Sequence, residues 1–429
     1  MTSPHSVAPD ATDVAVVGGG IVGCATALEL AQQGLRVALF ERGEPGREQS
    51  SRAWGFVRQQ GRHPAELPLA AEANILWQEL TCRYGGAATG FETGGILTPA
   101  ETVEDEARIL TAHEDAAGFG LRTRILSAAE LRERLPQLAG SWRSALLTDG
   151  DGYAEPACAT ATIAAAAREA GVRFHTRQPV LEVSLRGGAV EGVVTSAGLH
   201  RAGVVLLANG VGAASLARRL GLALPVQVVR STVARTVAAA PFTRLAMWGP
   251  KVAYRPRPDG SFVIGNGYRG VGGDYDITPN SFRQLRHFLP AYRRNWRLLR
   301  LSLGREFTAQ LKATGSAAAP EPPPNRRKVA HNLAAFRRLF PHLGALPLET
   351  AWAGRIDLTP DVIPIMDRPW PERGLFIAAG FSGHGFALGP SVGRQMAAWI
   401  MRGRPALDLA PFRLSRFTDG SAAYARHSL

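Results

Sequence analysis

A chain of 429 residues holds roughly two to three domains' worth of core, and by surface scaling it can bury about three quarters of its extended surface without disulfide staples. With 45% hydrophobic and 20% charged residues, a wholly disordered chain is excluded. The net charge of +13 comes almost entirely from arginine, since lysine occurs only at Lys251, Lys312 and Lys328; it reflects either an attraction for small acids, nucleic acid or membrane lipids, or a plain arginine- and alanine-rich bias.

Three cysteines (Cys24, Cys82 and Cys158), with no CxxC and no close pair, exclude a disulfide framework and a cysteine-based zinc or iron–sulfur site, and no metal is expected. The opening MTSPHSVAPDAT has no basic or apolar leader character. Residues 14–31 are apolar, but glycines, Thr26 and Glu29 interrupt them too often for a membrane span. A reducing, cytoplasmic setting is the expectation.

In chain order, Asp13-Val14-Ala15-Val16-Val17 reads as a buried parallel strand. Gly18-Gly19-Gly20-Ile21-Val22-Gly23 follows at once, then a helix to Gly34, a second strand Arg36–Phe40, and the acid Glu41 eighteen residues after Gly23. Each part has a task in dinucleotide binding. Gly18 permits the tight turn, Gly20 lets the backbone approach a pyrophosphate, and Gly23 lets helix and strand pack closely. The helix N-terminus at Ile21 and Val22 offers N–H groups to phosphate, and Glu41 can accept from ribose hydroxyls.

Further on, residues 171–174, 180–183 and 192–194 alternate as strands of a small sheet, and Val204–Leu207 is a buried strand ending in Ala208-Asn209-Gly210. Residues 252–265 are two alternating runs joined by Asp259-Gly260, a hairpin. Two stretches are strongly basic. Residues 283–305 carry Arg293, Arg294 and Arg297; residues 326–338 carry Arg326, Arg327, Lys328, Arg337 and Arg338. Their apolar spacing suits amphipathic helices facing inward, with peripheral membrane or nucleic-acid contact the alternative. The proline-rich 315–324 predicts a surface loop. Residues 374–379 form another buried strand, followed by Gly380-Phe381-Ser382-Gly383-His384-Gly385-Phe386 and a closing helix whose N-terminus can stabilise negative charge.

The N-terminal glycine motif, VVLLANGVGAASL, and TPDVIPIMDRPWPERGLFIAAGFSGHGFALGPSVGR resemble, in this order, FAD-dependent oxidoreductases of the D-amino-acid oxidase superfamily, whose members include glycine and sarcosine oxidases and D-amino-acid dehydrogenases. The resemblance implies an α/β, Rossmann-like FAD-binding domain from residues 1–90, 155–221 and 350–429. A substrate-binding domain of α+β type, built on an antiparallel or mixed β-sheet, would interleave with it from 91–154 and 222–349. It implies oxidation of the Cα–N bond of a D-amino acid, N-alkyl amino acid or cyclic imino acid to an imine, by hydride transfer to flavin and then hydrolysis. The partners implied are a small anionic amino-acid-like substrate and an electron acceptor, oxygen or a quinone or redox partner; nucleic acid is not expected and oligomeric state is open. Two alternatives stand beside it: an FAD subunit of an amino-acid dehydrogenase or opine-oxidase complex, and a tRNA-modifying flavin oxidoreductase.

Residue by residue, the resemblance places Gly18, Gly20, Ile21, Val22, Gly23, Glu41 and Arg42 at the cofactor, with Ser50, Ser51 and Arg52 after them. Val180 would lie against adenine, the Ala208-Asn209-Gly210 turn near the pyrophosphate, and Gly380, Gly383, His384, Gly385 and Phe386 along the flavin. Arg355 would hold the substrate carboxylate, although AGR stands where relatives read AGxR; an ion pair with Asp357 or Asp361 is the other reading. Tyr254 in the hairpin, Arg58 past the flavin's face and His384 complete the catalytic candidates. Arg52 and Trp352 stand at the positions where some relatives attach flavin, so FAD is expected to be non-covalent. Ala387 replaces the lysine that follows GFSGHGF in sarcosine-oxidase-type sequences, which favours an acceptor other than oxygen.

Overall fold

The computed structural model describes residues 12–271, 275–277, 286–289, 293, 299–301 and 321–422. Two sheets dominate it. In the first, Thr12–Val17 lies between Val37–Phe40 and Gly198–Leu207, all parallel, with Leu375–Ala379 and Arg173–His175 continuing the parallel order outward and Ile365–Trp370 added antiparallel at one edge. Alternation along the first strand decides what covers each face: Val14 and Val16 pack under Ile21–Gln32 and Gly385–Arg402, while Ala15 and Val17 belong to a second core with Leu207, Leu216 and Ile377. Both faces are dry, and this is why the strand reads as one apolar run.

Two details depart from expectation. Arg173–His175 joins the parallel sheet beside Val37–Phe40, and only Glu182–Arg186 and Ala189–Thr195 form the antiparallel meander against Gly198–Leu207. Val180 precedes that meander as irregular chain.

The second sheet is ordered Leu299–Leu301, Tyr275–Ile277, Gln227–Thr236, Phe262–Asn266, Val252–Pro256, Ala246–Trp248, Ile96–Ala100, Ser144–Thr148 and Arg124–Ser127. The hairpin forms around Asp259-Gly260, where Gly260 takes φ +80° and Ser261 hydrogen-bonds back to Asp259. Leu348–Leu358 pairs along the whole of Gln227–Thr236, so the boundary expected at residue 350 falls inside a strand of this sheet. One face is covered by Arg326–Leu339, whose Ala335 and Phe336 enter a core with Tyr254, Phe262, Ile264 and Phe340. Asn325 caps that helix, accepting from the amides of Arg327 and Lys328. Its apolar side thus faces inward. Most of the other basic stretch, including Arg294 and Arg297, lies outside the described residues, as does 315–320 of the proline-rich segment. Among the described residues no helix is long and apolar enough to cross a membrane.

Near the C-terminus, Arg416 reaches into the fold and is 1% exposed. Its guanidinium grips Asp361 through Nε at 2.7 Å and Nη2 at 3.0 Å, and Nη1 donates to the Phe412 carbonyl. A buried ion pair is tolerable when its remaining donors are satisfied in this way.

Candidate active site

The sheets face each other across a cleft of about 370 Å³, floored by the C-terminal ends of the parallel strands and roofed by Ser231, Trp248, Gly354 and Arg355 of the second sheet. Its floor is the glycine-rich turn. Gly18 adopts φ +110° and donates to the Phe40 carbonyl at 2.8 Å. A Cβ on Gly23 would stand 2.0 Å from the Gly18 carbonyl oxygen, so only hydrogen lets the helix sit this close. The Ile21 amide at the helix start donates to Ser50 Oγ at 2.9 Å. Glu41 accepts from the Gly19 amide at 2.7 Å and the Gly43 amide at 2.8 Å; burial raises its carboxyl above the usual range, and those two amides oppose the rise.

Gly18, Gly20, Ile21, Val22, Glu41, Arg42, Ser50, Arg52, Val180, Ala208, Asn209, Gly210, Gly383, His384, Gly385 and Phe386 all line the cleft. Gly23, Ser51 and Gly380 do not: Gly23 is under the turn, Ser51 Oγ donates to the Glu48 carbonyl, and the Gly380 amide donates to Asp357 Oδ2 at 2.7 Å.

Of the catalytic candidates, Arg355, Arg58 and His384 are brought to the wall and Tyr254 is not. Tyr254 is fully buried on the opposite face, edge-on to Phe336 and Phe340. The reason is strand parity: its neighbour Arg255 turns the other way, to Glu155 at 2.7 Å and the Trp54 carbonyl, so Tyr254 must point under the helix. Asp361 is taken by Arg416, and Asp357 accepts from Gln49 Nε2 at 2.8 Å as well as from Gly380, so neither carboxylate is committed to Arg355. Burial lowers the Arg355 pKa. Arg58 stacks on Trp248 with its guanidinium carbon 3.7 Å from the ring centroid, and Nη1 donates to the Gln60 carbonyl. His384 sits in a loop held by a strained residue, Ser382 at φ +53°, whose hydroxyl accepts from the Thr359 amide. Its Nδ1 lies 2.9 and 3.0 Å from the two oxygens of Glu66, which is fully buried.

The matching protein-family model, FAD dependent oxidoreductase (DAO), spans residues 13–399. The chain belongs to this family. The curated glycine oxidase of Geobacillus kaustophilus (strain HTA426) is 29% identical over 413 residues, 94% of this chain and 97% of that relative. An N-methyl-L-tryptophan oxidase of Salmonella heidelberg (strain SL476) is 26% identical over 95% of this chain and 99% of its own length. The solved L-amino acid deaminase of Proteus myxofaciens shares the fold with a TM-score of 0.87 at 24% identity, covering 97% of this chain and 96% of that one.

As a member of this family the protein is an FAD-dependent oxidoreductase, and the cleft fits FAD on its own evidence. Two helices, Ile21–Gln32 and Gly385–Arg402, begin at its wall. Asn209 Oδ1 and Trp248 Nε1 are buried in that wall without a partner among the described residues, which is costly unless a ligand supplies one. The glycine-rich turn, Glu41 and the 208–210 turn would hold the dinucleotide, and FAD supplies the hydride acceptor.

Sequence reasoning missed Trp54, Arg62, Glu66 and Trp248. Arg62 lies in irregular chain four residues after Arg58, where no periodicity marks it, and its Nε donates to the Arg58 carbonyl at 3.2 Å. Glu66 carried no signal beyond that of an ordinary first-turn acid after His63-Pro64.

Proposed function

We propose that this protein oxidises the Cα–N bond of a small amino acid or secondary amine to the imine, with non-covalent FAD as hydride acceptor and water completing the hydrolysis. Arg355 carries the reading. It is a guanidinium at the cleft wall, on the sheet opposite the glycine-rich turn. A guanidinium matches a carboxylate bidentately, and a substrate so anchored would hold its C–H toward the cofactor. Hydride transfer of this kind asks little more of the protein than orientation and the exclusion of water, which the two facing sheets supply.

Trp352 donates from Nε1 to the Arg52 carbonyl at 3.2 Å, so the two positions considered for covalent attachment hold each other and neither carries a nucleophile. Ala387 at the wall brings no cation, which favours a quinone or redox partner over oxygen as electron acceptor. The relatives named glycine oxidase and N-methyl-L-tryptophan oxidase support the substrate class. The test is the flavin absorbance of the FAD-loaded protein, followed without air while glycine, sarcosine, D-alanine and L- and D-proline are added in turn. Bleaching by one of them is the expected result, with slow recolouring in air. A yellow protein that no amine bleaches would overturn the reading.

A further inference from the structure

A bound amine needs hydrogen-bond acceptors, and the cleft is built mostly of donors. Arg58, Arg62, Arg355 and Trp248 present guanidinium and indole N–H groups that suit a carboxylate and repel an ammonium. Each carboxylate of the wall is already engaged. Glu41 takes the Gly19 and Gly43 amides, Glu48 takes Arg42 at 2.6 Å, Glu44 takes Arg177 at 2.9 Å, and Asp357 takes Gln49 and Gly380. His384 differs. It lines the cleft, yet its Nδ1 is turned out of the cleft to Glu66, which is not part of the wall. Among the described residues its Nε2 makes no hydrogen bond, and it is not sealed from solvent.

We propose that Glu66 is a positioning residue that locks His384 as its Nδ1–H tautomer, so that the Nε2 lone pair faces the cleft and accepts an N–H of the bound amine. This rests on the amine-oxidation reading above. Nδ1 between two carboxylate oxygens can only donate, and a neutral imidazole that donates from Nδ1 must accept at Nε2. The charges around the pair keep it in that state. Burial pushes the His384 imidazole down to about 4, Arg62 and Arg58 add to this from the adjoining segment, and Glu66 opposes it. Burial works against the Glu66 carboxylate, but His384, Arg62 and His63 outweigh it and hold it below its usual range. Burial, with the two arginines in support, thus disfavours an imidazolium, and the carboxylate chooses between the two neutral forms. A carboxylate–histidine pair in which the acid fixes the tautomer without taking the proton is a known way to aim a ring nitrogen.

The experiment uses FAD-loaded protein with ¹⁵N-labelled histidine, in which the His384 signals are identified by their loss in His384→Asn. In the wild type the expected spectrum shows Nδ1 protonated and Nε2 unprotonated from pH 5 to 8. In Glu66→Gln, whose amide can donate as well as accept, both tautomers should be populated. The KM for the amine that bleaches the wild-type flavin should then rise roughly tenfold, the worth of one hydrogen bond, with the flavin spectrum unchanged. Glu66→Asp, which keeps the charge but retracts it, should keep Nδ1 protonated and serves if the glutamine variant does not fold. A proton on Nε2 in the wild type, a titration near pH 6.5, or a tautomer unmoved by Glu66→Gln would each overturn the proposal. If no amine bleaches the wild type, the function reading falls, while the tautomer measurement still decides the role of Glu66.

Discussion

Replacing Gly23 by alanine puts the cofactor cradle to its most direct test. The new methyl would stand 2.0 Å from the Gly18 carbonyl oxygen and 3.1 Å from its carbon, where real contacts essentially never fall below 3.0 Å. Helix and turn must therefore separate by about 1 Å, and overpacking of this kind costs roughly 1–3 kcal/mol. The shift cannot be absorbed on the helix's other side, because Gly393 of Gly385–Arg402 lies so close that a Cβ there would be 2.7 Å from the Ala25 Cβ. The Ile21 amide, now 2.9 Å from Ser50 Oγ, would be drawn to the limit of hydrogen bonding, and the neighbouring amides would retreat from a pyrophosphate by the same amount. Losing one hydrogen bond to a charged oxygen, at about 1.5–3 kcal/mol, predicts FAD affinity weakened roughly 10- to 150-fold. The assay is titration of apoprotein with FAD, read by flavin fluorescence. Gly34→Ala is the control: it strains the backbone at φ +87° at the end of the same helix, with nothing within 4 Å of the new methyl. A Gly23→Ala protein binding FAD within twofold of wild type, or a Gly34→Ala protein weakened equally, would refute the account.

Arg355→Met should lower kcat/KM for a carboxylate-bearing amine by roughly 30- to 150-fold, about 2–3 kcal/mol of charge-assisted hydrogen bonding, while the flavin spectrum stays as in wild type; an unchanged kcat/KM would remove the residue from substrate binding. Tyr254→Phe should leave turnover unchanged and stability equal or slightly higher, because the hydroxyl is buried without a partner among the described residues; a loss of kcat would return the residue to the site. Burial raises the Asp151 carboxyl to about 6, against the amides of Gln59 and Gln60 that it accepts. Between pH 4 and 6 the native state therefore holds a proton that the unfolded chain has lost, and this group makes stability fall as pH rises, by an amount on the order of 3 kcal/mol. Urea midpoints at several pH values should show that downward component in wild type and lack it in Asp151→Asn, whatever the variant's absolute stability; identical pH profiles would refute it.

The glycine-rich turn and Glu41 were readable because their signals are local: spacing along one strand, one turn and one helix sets which atoms meet. The same holds for the hairpin, where Asp259-Gly260 fixes the turn and the flanking runs fix the strands. Tyr254 was misplaced for the opposite reason. Val252–Pro256 is buried on both faces, so the alternation along the run does not mark which face meets the cleft, and only packing against the helix at 326–339 decides it. Glu66 was illegible because its partner is 318 residues away, across a contact that exists only when the closing helix docks. Trp248 likewise gains meaning only from Arg58 lying on its ring.

How Arg355, the proposed substrate anchor, is held in register with the glycine-rich turn follows from one strand. Arg355 and Asp357 are two residues apart on Leu348–Leu358 and so share a face, although the strand belongs to the second sheet. Asp357 does not wait for substrate. Its Oδ2 accepts the Gly380 amide at the start of the loop that carries His384, its backbone carbonyl accepts the Ser382 amide, and its Oδ1 accepts from Gln49 Nε2, while Gln49 Oε1 takes the Val211 amide beside the 208–210 turn. The carboxylate thus ties the loop that carries His384 and the turn that would face the pyrophosphate to the strand that carries Arg355. Because Asp357 is buried and accepts several of these bonds at once, a shift of the strand would have to break them together. The distance between Arg355, the proposed anchor for the carboxylate, and His384, the proposed acceptor for the amine, is therefore set by the fold before any ligand arrives, which is the condition for aiming one C–H bond at one acceptor atom.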